Sequence, residues 1–333
     1  LSRWGPMWLW FGAASAFHVL VGGWSVVAGG FACVLAGQER PRFWSQVPWL
    51  MAGGLLALPG LVPALVLSSG VDAATARAAD EIYVINRLSH HLVSSRFASE
   101  RVAWFGATVT IWLACSWRLR AHGRWWRLNR LTMGSVAVAL IGIALSTALF
   151  LGWDGAVKWL RFYWFRLSDV LVPVSVALAV PLLLWQGTSQ RRAWAPYAWT
   201  AVCLGCLGLV LLAFAEHQQD FRPRADVQSR PASRRARIRF EQWQLMCLWI
   251  VENTSPEARF LTPRDQQTFK WYAGRSEVVS WKDIPQDATS IVRWWRLREE
   301  IDTPQVAIDG LGAWTDDQLL SIARRHGATH ILV

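Results

Sequence analysis

The chain has 333 residues, 53% of them hydrophobic, and a formal net charge of +11 that comes almost wholly from Arg. Mean hydropathy is only +0.22, an average over two unlike halves that excludes a single soluble domain. Five Cys, at 33, 115, 203, 206 and 247, exclude a disulfide or zinc framework.

Apolar stretches lie near 19–36, 46–68, 102–117, 131–153, 169–186 and 197–215. Each is close to the ~20 residues that a helix needs to cross a bilayer. Of the 24 Trp, 17 precede residue 200, many at the edges of these stretches, as in the aromatic belts of membrane proteins. About six transmembrane helices are therefore expected. Segment 4–17 is apolar too, but together with 19–36 it is too long for one crossing. It reads as an interfacial or re-entrant helix turning near His18, a residue expected to sit at a helix end and be satisfied by backbone. Pro59, Pro63, Pro173 and Pro181 are candidate kinks, and Cys203–Cys206 reads as small-residue helix packing rather than a metal pair.

Loops 37–45, 118–130 and 187–196 hold nine Arg, and they alternate with the longer or less basic loops 69–101 and 154–168. The positive-inside rule places the first three in the cytoplasm and 69–101, 154–168 and everything after 217 outside. Seven Arg between Arg222 and Arg239 run against this assignment, which tolerates them because long translocated segments are weakly constrained by charge. The basic excess thus fits loops flanking membrane helices, and no nucleic-acid partner is expected.

The sequence divides into a transmembrane part over 1–217, a linker over 218–237 and an α/β domain over 238–333. Trp243, Met246, Cys247, Ile250 and Val251 follow a helical stripe. Arg259–Leu261 reads as a buried strand, and Thr262-Pro263-Arg264-Asp265 as a helix start. Glu277–Ser280 is a second strand, 287–301 a helix, and Thr315 to Gly327 a capped helix. His330–Val333 is a last strand. This alternation predicts a three-layer domain with a mainly parallel sheet. A start at Leu1 and an end on an unfinished strand read as a fragment cut at both ends.

Chemistry concentrates in loop 69–101, where Asp72, Asp80, Glu81, Arg87, His90, His91 and Arg96 are dense and Ile82, Ile85 and Leu92 give an apolar face. The His pair offers a general base, or one or two ligands for a divalent metal. The plainer reading is two ring positions on a helix, one packed and one wet. No other cofactor is expected. Lys158, Arg161, Arg166 and Asp169 form a second cluster, suited to phosphate or to ion pairing. Trp271, Tyr272, Arg275, Lys282 and Asp283 flank strand 277–280, where parallel sheets hold ligands; surface and packing roles are the alternative. Arg87, Arg166, Asp169, Arg161, Arg275 and Lys282 are the candidate binding residues, and His90, His91 and Asp80 the candidate catalytic ones. Arg87, His90, His91, Arg166 and Asp169 are expected to share one outer cavity.

The runs Trp249-Ile250-Val251-Glu252-Asn253-Thr254-Ser255-Pro256, Phe260–Pro263, Phe269–Arg275 and Trp281–Gln286 resemble a group of uncharacterised bacterial multi-pass membrane proteins. Arg87–Leu92 and Phe165–Asp169 resemble that group's membrane-half signatures. The group is similar in architecture to GT-C class glycosyltransferases. The resemblance implies a bacterial plasma-membrane enzyme moving sugar from a polyprenyl-phosphate donor on the outer face. It also implies a catalytic acid in a first outer loop, expected to precede Leu1. A non-enzymatic membrane protein whose outer domain binds a partner or envelope polymer, and a transporter, are the competing classes.

Overall fold

The computed structural model describes residues 4–67, 69–120, 122–189, 193–220, 232–264, 267–303, 306 and 310–333. By packing, the chain forms two units: Leu1–Thr200 with Asp287–Thr289, and Ala201–Gln286 with Ser290–Val333. Arg191, Arg192, Asp265 and most of the expected linker lie outside the described residues.

Each expected apolar stretch is a helix. The first unit holds α1 (Trp4–Phe17), α2 (Val19–Val34), α3 (Phe43–Val66), α6 (Ser99–Arg118), α7 (Gly123–Phe150) and α9 (Arg166–Ser189), and α10 spans Ala195–Asp220. Among the described residues three helical segments are long and apolar enough to cross a membrane, Phe43–Val66, Trp125–Phe150 and Arg166–Ser189. Val19–Val34 and Pro196–Leu212 are shorter apolar helices. Helix α6 is less apolar because Glu100, Arg101 and Arg118 lie within it. Helix α3 continues through Pro59 and Pro63, and α9 through Pro173 and Pro181.

The run over 4–34 breaks at His18, which adopts an extended backbone (φ −149°, ψ 94°) and accepts from the Val21 N–H through its ring nitrogen. Helices α1 and α2 thus fold back on each other. Helix α1 does not stand alone: it runs beside α3 in the same direction. Gly5 faces Trp49, Gly12 faces Gly53, and Ser15 faces Gly60. A Cβ on Gly12 would run into the Gly53 carbonyl. Small residues permit this backbone approach, which replaces the hydrophobic drive that lipid cannot supply.

At one end of the first unit, the Trp4 indole donates to the Glu39 carbonyl (3.2 Å), and the Glu39 carboxylate pairs with Arg127 (3.3 Å) and Arg130 (3.5 Å). The basic loops 37–45 and 118–130 therefore meet. At the other end are α4 (Ala73–Glu81), a π-helical turn (Ile82–Arg87), α5 (Ser89–Leu92) and α8 (Ala156–Leu160), so loops 69–101 and 154–168 meet there. Between the ends, Asn129 accepts from the Trp112 indole and the Ser116 hydroxyl, and Thr132 pairs with Ser175 at 2.6 Å. These buried polar groups are thereby satisfied from a neighbouring helix.

The second unit holds α11 (Ala232–Asn253), β1 (Arg259–Leu261), α12 (Phe269–Ala273), β2 (Ser276–Glu277), α13 (Ala288–Ile301), α14 (Asp316–His326) and β3 (His330–Ile331). The three strands form a parallel sheet in the order β2-β1-β3. Helix α11 starts earlier than expected, because the Ala and Arg of its first turns are good helix formers. Trp243, Cys247 and Ile250 bury its stripe against Phe260 and Phe269, while Val251 at the stripe's edge is 42% exposed. Thr262 does not start a helix. Its hydroxyl is buried at the end of β1 and donates to Glu277 (2.6 Å), and α12 begins only at Phe269. Helix α14 has the full capping box at Thr315 and a left-handed Gly327.

Candidate functional site

Asp72 of the dense loop is a helix cap, since its carboxylate accepts from the Thr75 N–H at 2.9 Å. It starts α4, whose last turn buries Asp80. The π-helical turn that follows widens the helix by a residue per turn, a device frequent at functional sites. Val84, Leu92, Val93 and Leu160 form the local core, with Ile85, Leu149 and Val157 packed on it.

Three contacts join residues 80–97 to 161–165. The Arg161 guanidinium donates to Asp80 at 2.5 Å, the hydroxyls of Tyr83 and Tyr163 meet at 3.0 Å, and Phe97 packs edge-on against Phe165. Tyr163 holds φ +54°, the one non-glycine positive φ among the described residues. Such a conformation is uncommon for a bulky side chain, and it persists where surrounding contacts fix it. Burial raises the Asp80 carboxyl above its ordinary value, with the Arg161 and Lys158 cations opposing. Burial, then the hydrogen bond shared with Tyr163, pushes the Tyr83 phenol up. Sequence reasoning missed both tyrosines. Their scarcity was the available signal: the chain has four Tyr against 24 Trp, and two of the four meet here.

Asp80 also lines a cavity of about 550 Å³. Ala76, Ile85, Leu149 and Val157 give it an apolar wall, and Arg77, Glu81, Asp154 and Lys158 a charged one. Arg77 and Asp154 pair at 3.7 Å, both well exposed. A second cavity of about 420 Å³ shares Ile85 and Leu149 with the first and includes Arg96. The arrangement places one shielded carboxylate, the cations Arg77 and Lys158 and the carboxylates Glu81 and Asp154 beside an apolar surface at the ends of membrane-length helices. That combination can accept a proton from a hydroxyl and hold an anion whose remainder is apolar.

His90 and His91 stand outside these two cavities. Both are exposed, with ring centroids 4.1 Å apart, rather than one packed and one wet. Partial burial and then the Arg87 and Arg101 cations lower the His90 pKa. Partial burial, His90 and then Arg166 lower that of His91. Arg166 therefore lies within electrostatic reach of the His pair, and its guanidinium sits over the Tyr163 ring at 5.5 Å. Asp169 is exposed in the first turn of α9. Neither cavity is lined by Arg87, His90, His91, Arg166 or Asp169. Among the described residues no group of three His, Cys, Asp or Glu could hold a metal ion.

In the second unit Arg275 is buried and donates to backbone: Val251 O at 2.8 Å, Thr254 O at 2.9 Å and Ala273 O at 3.3 Å, with Thr254 Oγ1 at 3.1 Å. Lys282 is exposed, Asp283 pairs with Lys270 at 2.7 Å, and Trp271 is 84% exposed. Tyr272 packs on Phe240. Beyond the strand ends, Arg264 and Arg298 both approach the Trp281 ring.

No curated protein and no solved structure matches the chain. Residues 241–301, from within α11 to the end of α13, match the model of a domain of unknown function, DUF6798.

Proposed function

We propose that this chain is a multi-pass protein of the bacterial plasma membrane that acts as a GT-C-like glycosyltransferase, its second unit lying outside the cytoplasm. The donor in this reading is a sugar on a polyprenyl phosphate, taken at the outer face. The observation that supports it is Asp80: a buried carboxylate that lines a cavity with one apolar wall and one charged wall, the latter carrying Arg77 and Lys158 among its groups. The acceptor hydroxyl would attack the anomeric carbon as its bond to the phosphate oxygen breaks. Asp80 would take the hydroxyl proton and pass it to water. Lys158 and Arg77 would hold the departing lipid phosphate by charge-assisted hydrogen bonds, with Arg166 as a further cation outside that cavity and His91, within its electrostatic reach, as a neutral hydrogen-bonding ring. The prenyl chain would follow the Ile85–Leu149–Val157 wall into lipid.

A transfer assay with purified, reconstituted protein and polyprenyl-phosphate sugars tests this. Asp80→Asn should lower turnover by roughly 10²–10⁴-fold, the range for loss of a general base, while the protein stays in the membrane. Lys158→Ala, Arg166→Ala and His91→Ala should each lower it too. Turnover unchanged in Asp80→Asn would sink the assignment. A second reading, a non-enzymatic protein whose outer unit binds a partner or envelope polymer, is favoured by the Arg161 ion pair, which already meets the Asp80 charge. No transfer by the wild type, with retention of an envelope polymer lost in Trp271→Ala, would establish it instead.

A further inference from the structure

Helix α11 buries one side and leaves a second apolar side open. Trp243, Cys247 and Ile250 enter the core of the second unit. Leu245 is 66% exposed, Leu248 56% and Trp249 59%. These three stand at i, i+3 and i+4, so they form one continuous patch. A helix on a water-facing domain would carry polar residues there. The patch also lies inside the segment that matches DUF6798.

Two further facts name the occupant. The first turns of α11 carry Arg234, Arg235, Arg237 and Arg239 and no acid before Glu241. A helix that is basic over its first turns and then apolar on an open face, with a Trp in that face, fits the surface of an anionic bilayer. Second, only residues 221–231 separate α11 from α10. Even fully extended, that stretch reaches about 40 Å. The open leucines of α10, Leu204, Leu207 and Leu209 among them, suit lipid contact. Helix α11 is thus tethered close to a bilayer whose chemistry complements it. We propose that α11 lies on the membrane surface, with Leu245, Leu248 and Trp249 between lipid headgroups and the Arg-rich turns over anionic ones. This accounts for four of the seven Arg after residue 221, which the loop-charge pattern alone leaves unexplained. It does not rest on the transferase reading.

The full chain tests it after reconstitution into vesicles of phosphatidylcholine and phosphatidylglycerol. Cys33, Cys203 and Cys206 are replaced by Ala, and an environment-sensitive fluorophore is attached at Leu248→Cys or, as control, at the exposed Asp317→Cys. Lipids with a nitroxide near the headgroup should quench the label at 248 at least about threefold more than the label at 317. Omitting phosphatidylglycerol, or replacing the four Arg by Gln, should reduce that quenching by about half or more. A label at 248 that aqueous iodide quenches and lipid nitroxide does not would overturn the proposal. A label shielded from both would overturn it as well, because protein would then cover the patch. Leu248 is outside the core, so the substitution leaves the fold intact, and the lipid-composition arm decides the matter if the Arg variant does not fold.

Discussion

The guanidinium of Arg275 donates to Val251 and Thr254 at the end of α11 and to Ala273 at the end of α12. Removing it orphans carbonyls at a helix terminus, where no intrahelical donor is available. Arg275→Ala should therefore destabilise the second unit by about 2–4 kcal/mol. Limited proteolysis of the full chain would show it as faster cleavage within 232–333. Arg275→Lys should not restore resistance, since an ammonium cannot reproduce the planar fork. The His pair gives a prediction in pH. Partial burial and neighbouring cations hold both rings below the ordinary value of 6.5. A depressed His contributes stability above its ordinary pKa and loses it as pH falls through the depressed value. Thermal unfolding of the solubilised protein should occur at lower temperature as pH drops from about 7.5 towards 5, and His91→Gln should flatten that slope. A slope unchanged in His91→Gln would place the titration elsewhere. Which charged residues were dense in loop 69–101 was legible in the sequence. Which of them pair was not, because Asp80 and Arg161 are separated by 81 positions and nothing local specifies their meeting.

Helix α14 was readable because its signals are local: Thr315 and Gln318 cap it at one end and Gly327 at the other. Thr315→Ala should cost about 1 kcal/mol, measurable as lower protease resistance of the C-terminal segment in the full chain. The Thr262 start signal failed because burial beside β2 gave its hydroxyl a better acceptor in Glu277 than a helix N–H would be a donor. The long helices were legible from apolar length alone. The position of α1 was not, because a run of apolar residues does not state which neighbour it touches. The contact of α1 with α3 rests on absent side chains at Gly12 and Gly53. Gly53→Leu should separate the two helices and lower the unfolding temperature of the solubilised protein. Gly23→Ala, where an added Cβ meets nothing within 4 Å, should leave it unchanged.

Across the whole molecule, alternation of loop charge anticipated which loops share an end of the first unit: 37–45 joins 118–130 through Glu39, and 69–101 joins 154–168 through Asp80. The positive-inside rule proposes a side of the membrane for each end. Cysteine labelling in intact cells should find Ser189→Cys protected and Ser276→Cys reactive to an impermeant maleimide. The reverse pattern would invert the topology and move the proposed chemistry to the cytoplasm.

The Asp80–Arg161 contact also imposes an order on synthesis. Asp80 leaves the ribosome before α6, α7 and Arg161, so for that interval its carboxylate lacks the Arg161 guanidinium. The half-made segment must wait in water at the bilayer surface until α7 has been inserted and the chain has turned back. A nascent chain halted ahead of residue 161 should therefore be nicked readily between α4 and α5 by added protease. One released beyond Phe165 should resist, so the Asp80–Arg161 contact beside the cavity forms as a late step of insertion.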